Sequence, residues 1–186
     1  MSAHDCSLIL INRGDHSPCG THVKAPDVGD PAPDLAGPTQ DGSKVQLRDL
    51  RGKWVVLYFY PKDGTYGCTK EACAFRDDSH DLRAEGAEVL GVSRDDARSH
   101  AAFAARHHLP FRLVADPDSR ILDSYGARAW YGWARRITYL IDPAGRIAKV
   151  YRRVNPIGHS GRVLADLRRL KQESNKPALI GTTLAP

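Results

Sequence analysis

YFYPKDGTYGCTKEACAFR, residues 58–76, is the stretch that decides the fold. Trp54-Val55-Val56-Leu57 leads into it, so Trp54 to Tyr60 is one unbroken run of aliphatic and aromatic residues, the pattern of a strand buried on both faces. Pro61 has no N–H for the ladder and stops the strand, and Asp63-Gly64 signals a turn. Thr65 is placed to cap a helix that reads from Thr69 to Leu82, with Ala72, Phe75 and Leu82 turned inward. Cys68 then stands in the first helical turn. Unpaired N–H groups and the positive end of the helix dipole favour a negative sulfur there. A reachable thiolate is the group that peroxide or disulfide chemistry needs.

Cys73 follows with C-x4-C spacing, not C-x-x-C. On an ideal helix this separation turns the chain by about 500°, leaving the side chains about 140° apart and the Cα atoms about 8–9 Å apart. A disulfide needs Cα atoms within about 7 Å. Two readings stay open: Cys73 is a buried small hydrophobe, or the first turns of the helix unwind when the pair oxidises.

Pro61-Lys62-Asp63-Gly64-Thr65-Tyr66-Gly67-Cys68 fits P-x-x-x-T-x-x-C and resembles the active-site pattern of the peroxiredoxins. The longer run YFYPKDGTYGCTKEAC resembles the bacterioferritin-comigratory-protein, or Q-type, branch of that family. Arg136-Ile137-Thr138-Tyr139 is similar to the family's R-x-[ST]-[FY] setting of a second active-site residue. The resemblance covers roughly Val28 to Leu170. It implies an α/β, thioredoxin-like (peroxiredoxin) fold, a central mixed sheet flanked by helices with an N-terminal β-hairpin. It also implies a thiol-dependent peroxidase for hydrogen peroxide and organic hydroperoxides. In that reading Cys68 is the peroxidatic cysteine and Cys73 the resolving one, joined as an intramolecular disulfide that thioredoxin or a similar dithiol reduces. Arg136 supplies fixed positive charge, Thr65 a hydroxyl for the peroxide, and Pro61 a shield for the sulfur. Glu71 orients Arg136, a surface salt bridge being the other reading. No cofactor and no metal is expected beyond the redox-active cysteines. Tyr66 departs from the pattern, since relatives often carry proline or a small residue there, and it bears on the pocket mouth and on the ease of unwinding.

The remaining chain supports one domain. It has 186 residues, 41% of them apolar, enough for a single core with extra length. A net charge of +5 reads as a solvated basic surface, because Arg128, Arg135, Arg136, Arg152, Arg153, Arg168 and Arg169 are scattered and form no block for nucleic acid. No apolar run reaches membrane length. Residues 1–26 read as a poorly structured extension, 27–171 as the domain and 172–186 as a tail in which Leu179-Ile180 are the docking candidates. His4, Cys6, His16, Cys19 and His22 invite a zinc reading, but their spacing matches no standard ligand pair. Cys6 and Cys19 remain competing resolvers. Four cysteines in a chain without an export signal point to thiols, a cytoplasmic setting and no disulfide frame.

Val45 to Leu47 reads as a short edge strand after the turn at Thr39-Gln40-Asp41-Gly42-Ser43. Ala87 to Ser93 is a second apolar strand, and Asp95-Asp96 opens a helix to His107, so the two strands should pair in parallel through a crossover. His107-His108 reads as helix-end capping. Phe111 to Val114 is a strand, and Asp116 to Ser119 caps a brief helix through Tyr125. Trp130, Tyr131 and Trp133 are expected to pack over the pocket rim, with a partner-facing surface as the alternative. Arg136–Ile141 and Ile147–Tyr151 form a hairpin across Asp142-Pro143-Ala144-Gly145, and Gly158 to Leu170 is the last amphipathic helix. A thioredoxin-type reductase would want C-x-x-C, which is missing. A redox sensor or holdase would not need Thr65, Cys68 and Arg136 together. An intrachain cysteine pair removes any need for a dimer, so a monomer is expected.

Overall fold

The structure, a computed structural model, describes residues 24–174. Chain order is β1 (Ala36–Pro38), β2 (Lys44–Gln46), a 3-10 turn (Leu47–Leu50), β3 (Trp54–Phe59), α1 (Tyr66–Asp77), α2 (Ser79–Ala84), β4 (Ala87–Ser93), α3 (Ala97–His107), β5 (Arg112–Ala115), α4 (Arg120–Ser124), β6 (Ile137–Ile141), β7 (Ile147–Tyr151) and α5 (His159–Ser174). The five-stranded sheet runs β5-β4-β3-β6-β7, and β1 and β2 make a separate hairpin. β3 pairs with β4, and β4 with β5, in parallel; β3–β6 and β6–β7 are antiparallel. The expected mixed sheet, flanking helices and N-terminal hairpin are all present.

β3 is the middle strand and every residue of it is buried. Its alternation feeds two cores. Val55, Leu57 and Phe59 join Leu90, Val92, Val114, Tyr125 and Tyr139 beneath the hairpin residues Leu35 and Val45. Trp54, Val56, Tyr58 and Tyr60 face the other way, against Phe75 of α1, Leu82 of α2, Phe103 of α3 and Val163 and Leu167 of α5. Gly91 of β4 lies beside Tyr58, and a Cβ there would come within 2.7 Å of the phenol ring. Only glycine leaves room for that ring under the helix layer.

Several boundaries differ from the sequence reading. The first helix begins at Tyr66, not Thr69, and the stretch to Leu82 is two helices broken at Asp78. Asp77, Asp78 and Ser79 are residues that compete for local backbone bonds, and the Asp78 N–H is shared between the Ala74 and Arg76 carbonyls. The edge strand is Lys44–Gln46, Leu47 having entered the 3-10 turn, and the strand expected over Phe111–Val114 is Arg112–Ala115. β6 starts at Ile137, which leaves Arg136 on its lip. The capping at the end of α3 comes from backbone shape, since His108 adopts the left-handed region with φ 51° and donates to the Ala104 and Ala105 carbonyls. The readings placed on Cys6, Cys19, His4, His16, His22 and Leu179-Ile180 lie outside the described residues. Among the described residues no helix is long and apolar enough to cross a membrane.

Candidate active site

Strand β3 ends at Phe59, and its last antiparallel pair is Phe59 with Ile137. One step beyond that pair, Arg136 enters β6 opposite the end of β3, where Pro61 turns the chain into the loop before α1. The carboxyl end of a central strand is where open α/β sheets gather their chemistry. Gly64, at φ 71°, makes the turn. Thr65 is the N-cap residue with extended backbone, as expected, but its hydroxyl makes no cap bond and donates to the Lys62 carbonyl at 3.1 Å. Cys68 is then the third residue of α1.

Cys68 Sγ accepts a hydrogen bond from Arg136 Nη2 at 3.4 Å. The other terminal nitrogen, Nη1, donates to Glu71 Oε2 at 2.5 Å. Cys68 and Glu71 are one helical turn apart and so share a face. Gly67 admits the guanidinium: a Cβ there would lie 3.1 Å from Nη2. The Glu71 side chain is fully buried, so the surface salt-bridge reading is replaced by an internal pair. Burial pushes the Glu71 carboxyl up to about 7, against the opposing pull of the Arg136 charge and hydrogen bond. Burial works against the Arg136 charge, but Glu71 and the Cys68 sulfur outweigh it and lift the guanidinium above its ordinary value. A permanent cation is thereby clamped against the sulfur.

The sulfur is less open than the sequence suggests. Cys68 is 1% exposed, packed among Tyr58, Tyr60, Ala72 and Phe75. Its place on the inward face of α1, with Arg136 across it, accounts for this. Cys73 is neither deeply buried nor near Cys68. It is half-buried, its Sγ lies 4.0 Å from His107 Nδ1, and it lines a cavity of about 590 Å³ with Tyr66, Thr69, Lys70, Pro156 and Ile157. Both thiols are free and one unbroken helix carries them on different faces.

Pro61 forms one wall of a shallow pocket with Lys62, Arg94, Asp95 and Trp133. The aromatic loop does not pack as expected: Trp130 is 91% exposed, Tyr131 and Trp133 are also exposed, and only Trp133 leans towards the site, with Lys62 Nζ 5.4 Å from its ring centre. Gly132 turns the loop with φ 89°, and Arg94 Nη1 donates to its carbonyl at 2.9 Å. Sequence reasoning missed Asp63 and His100. Asp63 passed as a turn residue, yet its side chain is buried against His100. The available signal was His100 on the apolar face of α3 with Phe103 and Ala104, since a buried imidazole needs partners. Among the described residues no group of three or more His, Cys, Asp or Glu is placed to hold a metal.

A cysteine sulfur at a helix N-terminus, gripped by an arginine at the end of a thioredoxin-like sheet, defines a cysteine-dependent oxidoreductase. Residues 28–150 match the AhpC/TSA family. A putative peroxiredoxin bcp from Coxiella burnetii is 42% identical over 148 residues, covering 76% of this chain and 98% of the relative. Peroxiredoxin Bcp of Bacillus subtilis is 39% identical over 157 residues, 79% of this chain and 98% of the relative. Among solved structures, a cysteine-to-serine variant of PrxQ from Xylella fastidiosa superposes with TM-score 0.75 at 32% identity, covering 78% of this chain and 98% of that one. The chain belongs to the AhpC/TSA family, within its Bcp and Q-type peroxiredoxins, and it is a peroxidase.

Proposed function

We propose that Cys68 is the peroxidatic sulfur, that Cys73 resolves it, and that a thioredoxin-type dithiol closes the cycle. The Cys68 thiolate attacks the terminal oxygen of a hydroperoxide. The O–O bond breaks, the sulfur becomes a sulfenic acid, and the departing alkoxide or hydroxide takes up a proton as alcohol or water. Arg136 offsets charge on the sulfur beforehand and on the leaving oxygen during cleavage. Thr65 serves once its hydroxyl turns from the Lys62 carbonyl to the peroxide, and Pro61 walls the loop side. Cys73 then attacks the Cys68 sulfur, water leaves, and a disulfide forms. The external dithiol reduces that disulfide and is itself oxidised.

The observation that carries this reading is the contact of Arg136 Nη2 with the Cys68 sulfur, braced by Glu71. Hydrogen peroxide and organic hydroperoxides are the substrate class, and a solved Xanthomonas campestris relative is described by its alkyl peroxide reduction activity. The redox-active cysteines suffice without metal or prosthetic group. An intrachain pair lets a monomer run the cycle, and free thiols suit a reducing compartment such as the cytoplasm. Mass spectrometry after one equivalent of hydrogen peroxide tests the assignment. A Cys68–Cys73 link is expected; a stable Cys68 sulfenic acid, or a link from Cys68 to Cys6 or Cys19, removes Cys73 from the role.

A further inference from the structure

Beside the loop that leads through Thr65 to Cys68 lies a second polar cluster, centred on one of the unspecified positions of P-x-x-x-T-x-x-C, whose hydrogen bonds do not reach the Cys68 sulfur. Its centre is Asp63, whose side chain is 6% exposed, against His100 of α3, whose side chain is fully buried. Asp63 Oδ1 accepts from the Tyr60 hydroxyl at 2.8 Å. Oδ2 accepts from Ser99 Oγ at 2.8 Å and faces His100 Nδ1 at 2.9 Å. The second ring nitrogen, Nε2, faces the Val114 carbonyl at 3.2 Å. The Asp63 backbone N–H donates to Asp95 Oδ2 at 2.8 Å, and Asp95 is held in turn by Ser93 Oγ at 2.7 Å. Asp63 is thus tied directly to Tyr60 just after β3, to α3 and to the β4–α3 loop, and through His100 to β5. His100, Ser99 and Tyr60 hold the Asp63 carboxyl below its ordinary value although burial pushes it up.

Such a cluster costs desolvation, and a turn alone does not require it: Asp63-Gly64 would form a surface turn with its carboxylate in water. What the buried arrangement adds is a fixed loop position relative to β6, which brings Arg136. We propose that Asp63 and His100 are positioning residues for peroxide reduction, a buried pair that sets the 61–65 loop so that Thr65 and the Cys68 sulfur meet Arg136 in register. The proposal rests on Cys68 being the peroxidatic sulfur. Misplacement of a reacting group by about 1 Å costs on the order of 100-fold in rate, so losing the anchor slows peroxide attack. Alkylation of the same sulfur by iodoacetamide uses none of the hydrogen bonds around the peroxide, so it is not slowed in proportion.

The test measures, on the full chain at a temperature well below unfolding, the second-order rates of Cys68 with hydrogen peroxide and with iodoacetamide. Wild type, Asp63→Asn, and His100→Ala with and without imidazole are compared, all in a Cys73→Ser background. In both variants the peroxide-to-iodoacetamide rate ratio should fall at least about 10-fold. Imidazole should restore most of it in His100→Ala, since the cavity left there adjoins a shallow open pocket lined by Asp63, Ser99, Phe103 and Arg106. An unchanged ratio, or equal slowing of both reagents, overturns the proposal, because looser packing alone exposes the buried sulfur to either reagent. Should Asp63→Asn not fold, Ser99→Ala removes one bond to Oδ2 and carries the test: a ratio lowered about 3-fold or more supports the proposal, and an unchanged one overturns it. A wild-type sulfur inert to peroxide would instead refute the assignment of Cys68.

Discussion

The chemistry proposed at Cys68 depends on one side chain doing two jobs. Arg136 gives Nη2 to the sulfur and Nη1 to Glu71, a forked geometry that lysine lacks. Arg136→Lys keeps the charge but makes only one of the two contacts at a time. Its rate with peroxide in stopped flow is expected to fall about 100-fold, the magnitude of losing one aimed donor to a developing charge; a fall under about 3-fold would show that charge alone suffices. Much of this candidate site is legible in the sequence, because Pro61, Thr65 and Cys68 lie close together along the chain and the family resemblance marks Arg136 just before a strand. Glu71 was legible as a partner of Arg136 only through the family resemblance, with a surface salt bridge as the other reading; its burial depends on Arg136 arriving from far along the chain. Asp63 and His100 were hidden for the same reason, since a turn signal and an amphipathic pattern do not reveal that the two meet.

In the proposed cycle, helix α1 has to be stable enough to hold the sulfur against Arg136 and weak enough to release Cys73. Its two cysteines sit on different faces of a continuous helix, and the cavity beside Cys73 gives a displaced turn somewhere to go. The helix also lacks reinforcement at its start, with no side-chain cap bond and no acidic residue in its first turn. Amide hydrogen exchange is the check: residues 66–77 should be protected in the reduced protein and exchange at least about 10-fold faster once the disulfide has formed, because the link cannot close on a helix. Protection unchanged on oxidation would rule out unwinding. The helix starts at Tyr66, three residues before the Thr69 start read from the sequence, and so takes in Gly67, a poor helix former. Tertiary contacts to Arg136 and Pro156 settle that turn, and no local propensity reports them.

Across the whole molecule, the two faces of the sheet are filled so that titratable groups lie inside the helix layer with Tyr58 and Phe75. Burial lowers His159 to about 4, with Arg162 and Arg136 adding to the effect, while Glu71 is raised to about 7. His159 stays neutral in the folded state, so its contribution is full above about 6.5 and is lost as pH falls towards 4. Glu71 has the opposite sign: its contribution is full below about 4.5 and is lost as pH rises through 7. The slopes oppose each other between these limits. In urea unfolding, Glu71→Gln should lose stability with acid more steeply than wild type from pH 6.5 to 4.5, and His159→Gln should gain it; parallel profiles would contradict both burials. The parallel strand pair and the hairpins followed from strand runs and turn signals, and the mixed sheet from the family resemblance, whereas the exposed aromatic loop followed from neither, since the hydropathy of Trp130 says nothing of its 91% exposure. The account as a whole turns on a single sulfur, and stopped-flow consumption of hydrogen peroxide by wild type and Cys68→Ser measures it most directly. Fast second-order loss of peroxide is expected in wild type, with at least about a thousandfold less in the variant; equal rates in the two proteins would contradict the account.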